Sequence, residues 1–167
     1  MNEYGKVAIV MGSRSDYDVV KPALGVLDSF GVEWELRIIS AHRTPLEAHE
    51  YVSKAEENGI EVIIGVAGKA AHLAGVIAGY TTLPVIALPI ATSLMGGLDS
   101  LLSMVQMPKG VPVATVAVNG ADNSALLAVQ ILAVKYPALK EKLIAYKEKM
   151  RRQVVEADEL LCKELGK

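Results

Sequence analysis

The residues best suited to chemistry in this chain are His42 and Arg43, within Ser40-Ala41-His42-Arg43-Thr44-Pro45. Glu33 to Ile39 reads as a β-strand. Thr44-Pro45-Leu46-Glu47 reads as a helix start, with a capping threonine, a first-turn proline and a glutamate three positions after the cap. A histidine between the two elements can face a ligand without breaking either. Imidazole exchanges protons near neutrality, and the planar fork of arginine suits a phosphate or a carboxylate. Residue type and position leave two readings open for each: His42 does chemistry or fills a polar turn, and Arg43 holds an anion or lies on the surface.

Other segments offer further candidates. Gly12-Ser13-Arg14-Ser15-Asp16 combines hydroxyls with backbone N–H groups at a helix start, a setting for a single phosphate. It lacks the spacing of a Walker loop or a dinucleotide fingerprint. Asp16 is either part of such a site or a helix cap. Ala67 to Gly75 is built largely of small residues that let a ligand approach the backbone. It carries His72, a second imidazole that either transfers protons or bonds local backbone at a helix start. Ala91 to Gly97 and Gln106 to Gly110 read as lid or interface loops. His49, inside a predicted helix, reads as a surface residue. Cys162 is the sole cysteine, which excludes an internal disulfide and offers no thiolate metal site; it reads as a helix residue.

The elements that must position these residues follow from hydrophobic periodicity. Strands are predicted near Lys6–Met11, Glu33–Ile39, Glu61–Ala67, Pro84–Leu88 and Val111–Val118. Helices are predicted over Asp16–Phe30 and Pro45–Asn58, each followed by a glycine suited to a left-handed C-cap. Further helices follow Ala71 and cover Leu98–Met104 and Asn123–Val134. Strict alternation implies a parallel sheet covered on both faces by right-handed crossovers, an α/β three-layer sandwich with five strands; of the doubly wound strand orders that this alternation leaves open, the flavodoxin-like 2-1-3-4-5 is the favoured one. Ligands in such folds sit outside the carboxyl ends of the strands. The candidates from Gly12, Ser40 and Gly68 onward all follow predicted strands.

The 167 residues suit one domain. Nineteen acidic and seventeen basic residues nearly balance, and no basic patch with interleaved aromatics points to nucleic acid; a small ligand is the expected partner. No apolar run reaches the roughly 20 residues that span a bilayer. Met1-Asn2-Glu3-Tyr4 leads into the first strand without the pattern of a signal peptide, so a cytoplasmic protein is expected. From Ala138 to Leu165 the pattern becomes one long charged helix, with Leu139, Leu143, Tyr146, Met150, Val154, Ala157 and Leu161 forming a stripe. At about 42 Å it outruns a small domain, so part of it is expected to meet another subunit.

Taken together, Met11-Gly12-Ser13-Arg14-Ser15-Asp16, Ser40 to Pro45, Ala70-Ala71-His72-Leu73, Leu98-Asp99-Ser100-Leu101 and Gln106 to Thr115 resemble the PurE family of purine biosynthesis. The resemblance covers nearly the whole chain. It implies an N5-carboxyaminoimidazole ribonucleotide mutase, which moves a carboxylate from the exocyclic nitrogen to ring carbon C4 without ATP, metal or organic cofactor. It implies that Ser13, Ser15, Asp16 and Arg43 hold the ribose phosphate portion. Ser40, Ala41, Gly68, Lys69, Ala70, His72 and Leu73 would surround the base and carboxylate, and His42 would carry the proton. A homo-octamer is implied too, with active sites completed by neighbouring subunits and the C-terminal helix aiding assembly.

Two residues depart from the mutase pattern: Lys69 replaces a glycine and Ala74 a proline. The family also contains aminoimidazole ribonucleotide carboxylases that use free carbon dioxide. These typically carry a lysine after the catalytic histidine and an Arg-Ser pair in the third loop. Arg43 and Lys69-Ala70-Ala71-His72 match the mutase pattern better. A non-catalytic nucleotide-binding or signalling module is a different class of answer. The chain lacks the acidic cluster of a receiver domain and the ring-covering aromatics of a flavin domain.

Overall fold

The computed structural model describes residues 4–166; Met1 to Glu3, on which the expectation about a leader falls, and Lys167 lie outside them. Five parallel strands, β1 (Lys6–Met11), β2 (Glu33–Ile38), β3 (Ile60–Ala67), β4 (Val85–Pro89) and β5 (Ala114–Thr115), form one sheet in the order β2-β1-β3-β4-β5. This is the expected order. A 3-10 turn (Arg14–Asp16) leads into α1 (Tyr17–Phe30), and α2 (Pro45–Ser53), α3 (Leu73–Ala78), α4 (Leu98–Val105) and α5 (Ala121–Leu132) follow the later strands. The last helix, α6, runs from Pro137 to Glu164.

Alternation along the strands divides the core in two. Val7, Ile9 and Met11 of β1, with Val62, Ile64 and Val66 of β3, face the layer made by α1, α5 and the start of α6. Ala8 and Val10, with Ile63 and Ala67, face the opposite layer of α2 and α3. Both faces of the central strands are dry, and full burial of a side chain such as Ile64 contributes about 1.5–3 kcal/mol. Helix α3 rests almost on bare backbone: a Cβ on Gly65 would lie 2.9 Å from both Cα and Cβ of Ala74. Ala74 stands in the first turn of α3, where helices also accept proline, so its departure from the family pattern leaves the fold intact.

Gly31 caps α1 as expected, with φ of 73° and its N–H bonded to the carbonyls of Asp28 and Leu27. The second helix end is corrected. Helix α2 ends at Ser53 rather than Asn58, and the chain continues in tightened turns. Gly59, at φ of 77°, closes those turns with the bonds that Gly31 makes after α1: its N–H goes to the Glu56 carbonyl and the Ile60 N–H to the Ala55 carbonyl, each at 3.0 Å, before β3 begins. The fifth strand is also shorter than Val111–Val118. Pro112 lacks an N–H, and only Ile86 and Ala87 of β4 are paired with it. In α6, Leu139 and Leu143 are buried, whereas Val154 and Leu161 of the same stripe are 71 % and 52 % exposed.

Candidate active site

The carboxyl ends of β1 to β4 open into a cavity of about 650 Å³. Of the twelve expected site residues, Ser13, Ser15, Asp16, Ser40, Ala41, His42, Arg43, Gly68, Lys69, Ala70 and Leu73 line it. His72 is not in the lining; it is exposed and touches the His42 ring. The wall from Ile90 to Ser93, after β4, was legible only as part of a loop with lid or interface character. It carries no titratable side chain, so residue type gave no signal.

The first wall is a hydroxyl cradle. Ser13 Oγ accepts from the Ser15 N–H at 3.3 Å and from the Ser15 hydroxyl at 2.8 Å, and that hydroxyl also lies 3.1 Å from Asp16 Oδ1. Asp16 precedes α1 but makes no side-chain cap bond, which removes the reading of it as a helix cap. It is 9 % exposed. Burial raises its pKa above the ordinary carboxyl value, partly offset by hydrogen bonds from the Ser15 hydroxyl and the Ser13 backbone.

Arg43 ties the first wall to the second. Its Nη2 donates to the Gly12 carbonyl at 3.0 Å and its Nε to Ser40 Oγ at 3.3 Å. A guanidinium has five N–H donors, so three remain for a ligand anion. Thr44 does not form the expected capping box. Its Oγ1 accepts from the Ser40 N–H at 2.9 Å and donates to the Ser40 carbonyl at 3.0 Å, which closes the loop that carries His42. Pro45 occupies the first turn as expected.

The two imidazoles meet. His42 Nε2 lies 2.9 Å from His72 Nδ1, with the rings 5.0 Å apart and inclined at 74°. One nitrogen must bring the hydrogen and the other a lone pair, so the contact fixes the two rings in complementary donor and acceptor roles. The alternative in which His72 bonds local backbone is thereby replaced. His49 is exposed and its ring meets Tyr80 edge-on at 5.0 Å. Exposed Cys162 lies in α6.

Lys69 adopts φ of 60°, the left-handed region natural to glycine, which is the residue it replaces in the family pattern. Its N–H donates to Ser100 Oγ at 3.1 Å, and the Ser100 hydroxyl donates to the Ile90 carbonyl at 2.7 Å. Asp99 accepts from the Thr92 hydroxyl at 2.6 Å and from the Ser100 N–H at 2.9 Å; the Thr92 bond is the main cause of its lowered pKa. Among the described residues, no group of three or more His, Cys, Asp or Glu is placed to hold a metal ion. Hydroxyls, a carboxyl group, a guanidinium and an imidazole around one cavity can bind a small phosphorylated, hydroxylated ligand and move a proton on it.

A parallel sheet in the order 2-1-3-4-5, with a charged cavity where its strands end, places the protein in the doubly wound α/β class. Residues 6–153 match the AIR carboxylase family, and the chain belongs to it. Its relatives include proteins named N5-carboxyaminoimidazole ribonucleotide mutase. The one from Pyrococcus horikoshii is 60 % identical over 150 residues, covering 90 % of this chain and 85 % of the relative. That from Thermotoga maritima is 56 % identical over 151 residues, covering 90 % and 88 %. That from Mycobacterium tuberculosis (strain H37Rv) is 46 % identical over 165 residues, covering 99 % and 95 %. The crystal structure of Treponema denticola PurE superposes with a TM-score of 0.85 at 29 % identity, over 92 % of this chain and 96 % of that one.

Proposed function

We propose that this protein is an N5-carboxyaminoimidazole ribonucleotide mutase, an isomerase of purine biosynthesis, with residues 1–167 acting as one catalytic domain. The observation that carries the reading is the position of His42: it lines a cavity that combines an anion-binding cradle with the small-residue loop after β3. The names of the relatives favour the mutase over a carboxylase that uses free carbon dioxide.

In this reading Arg43, Ser13, Ser15 and Asp16 hold the ribose phosphate portion. Ser40, Ala41, Gly68, Lys69, Ala70 and Leu73 enclose the base and carboxylate, and His72, outside the lining, bears on them through its contact with His42. Protonated His42 gives its proton to the exocyclic nitrogen as the N–C bond breaks and the carboxylate leaves as carbon dioxide. Ring carbon C4 then attacks the carbon dioxide, and neutral His42 removes the C4 proton to restore aromaticity. One imidazole serves both steps, the proton count closes, and no cofactor is consumed. General acid–base help of this kind is worth about 10² to 10⁴ in rate.

The same reading makes the protein cytoplasmic and a homo-octamer, whose assembly covers the exposed end of the α6 stripe. The test is a paired assay without ATP. Rapid conversion of the N5-carboxylated nucleotide supports the mutase. Faster turnover of aminoimidazole ribonucleotide plus bicarbonate at matched concentrations would replace it with the carboxylase, and nucleotide binding without turnover of either would leave a binding module.

A further inference from the structure

Resting on the mutase reading, we propose that Asp99 and Ser100 are positioning residues: they clamp the loops after β3 and β4 together and so keep carbon dioxide in the cavity between the two half-reactions. Neither residue lines the cavity, yet each holds residues that do. Ser100 is fully buried, and its single hydroxyl joins the Lys69 N–H of one wall to the Ile90 carbonyl of the other. Asp99 fixes Thr92, two residues further along the second wall, and is itself fixed by the Ser100 N–H. Two consecutive residues at the start of α4 thus tie three cavity residues from two loops.

The start of α4 is packed closely against the loop it clamps. Gly97 has φ of 106°, and a Cβ there would lie 2.9 Å from Val118 Cγ1 and 3.0 Å from Ala91 Cα, so the helix begins pressed against the β4 loop. On the other wall, Lys69 is held in a left-handed conformation that a lysine rarely adopts, with its N–H anchored on the buried hydroxyl. Strain of this kind persists only where the surroundings over-determine it.

The chemistry explains why such a clamp matters. Nucleotide phosphate and ribose present charges and hydroxyls that side chains can grip. Carbon dioxide is small, neutral and linear, so only fitted walls and the exclusion of water retain it. After the N–C bond breaks and the nitrogen gains its proton, two outcomes compete. Either C4 forms its bond to carbon and loses its proton, giving the product, or the gas escapes and leaves aminoimidazole ribonucleotide. A loosened clamp favours escape without weakening the grip on the nucleotide.

The experiment follows N5-carboxyaminoimidazole ribonucleotide labelled in its carboxylate. It measures the ratio of aminoimidazole ribonucleotide to carboxylated product after subtraction of enzyme-free decarboxylation. Ser100→Ala, Asp99→Ala and Thr92→Val are each expected to raise that ratio about tenfold, the scale of one lost hydrogen bond, with little change in KM. Asp99→Asn, which keeps an acceptor for Thr92, is expected to restore most of the coupling. An unchanged ratio in variants that fold and turn over would overturn the proposal. Should Ser100→Ala fail to fold, Thr92→Val and Asp99→Ala decide on the same terms. Absence of conversion by the unaltered protein would instead remove the mutase reading, and the proposal with it.

Discussion

His42 Nε2 and His72 Nδ1, thirty residues apart in the chain, lie 2.9 Å apart across the mouths of β2 and β3. The contact determines which nitrogen of His42 is engaged and therefore which one is free for another partner. His72→Ala is expected to lower kcat about tenfold to a hundredfold, the range for a hydrogen bond to a charged group, while KM for the nucleotide and the melting temperature change little. Steady-state kinetics beside thermal denaturation separates this from simple unfolding. Equal losses in kcat and stability would make His72 merely structural.

His42→Asn is expected to bind nucleotide and to lose about 10² to 10⁴ in turnover, because the amide cannot exchange protons. Calorimetric titration with the nucleotide and a turnover assay on the same preparation test both halves. Near-normal turnover would remove His42 from the proton-carrying role.

Asp16 ties pH to stability. Burial raises its pKa in the fold, so its ionised form is disfavoured there, and the fold loses stability as pH rises through that raised value. Asp16→Asn is therefore expected to melt above the unaltered protein at neutral pH. The difference should fade on acidification toward about pH 3, where the carboxyl is protonated in both states. The same substitution removes a charged acceptor for substrate hydroxyls and should weaken nucleotide binding about tenfold. Denaturation across that pH range, with binding measured in parallel, checks the trade.

Lys69→Gly relieves a left-handed lysine and is expected to stabilise the fold by about 1 kcal/mol, which raises the melting temperature by about 2–4 °C. Gly65→Ala is expected to act in the opposite direction, by about 1–3 kcal/mol, because Ala74 leaves no room for a Cβ. Denaturant titration of the two variants side by side measures both.

The exposed end of α6 is the proposed assembly surface. Leu139 and Leu143 belong to the core, so removal of the whole helix would confuse folding with assembly. Truncation after Met150 keeps both residues and removes Val154 and Leu161. It is expected to leave a folded protein of lower oligomeric state by sedimentation; an unchanged assembly would exclude a role for this segment.

The sequence by itself determined the α/β class and the sheet edge at which the candidate residues gather. Apolar runs such as Val7–Met11 and Val62–Ala67, alternating with helical stretches, suit central parallel strands, the helices between them require crossovers, and the segments at Gly12, Ser40 and Gly68 then share one edge, while the strand order itself was fixed by the packed sheet. Only the tertiary structure decided how those segments bond to one another. Thr44 has the residue type of a helix cap yet closes the His42 loop, because the Ser40 N–H and carbonyl lie within its reach. Lys69 and Ser100 meet because β3 and β4 are neighbours, and His42 meets His72 because the β2 and β3 loops converge across β1. Periodicity and local propensity act over a few residues. A hydrogen bond between loops depends on ångström-scale placement set by the whole packed sheet, which no short window of sequence contains.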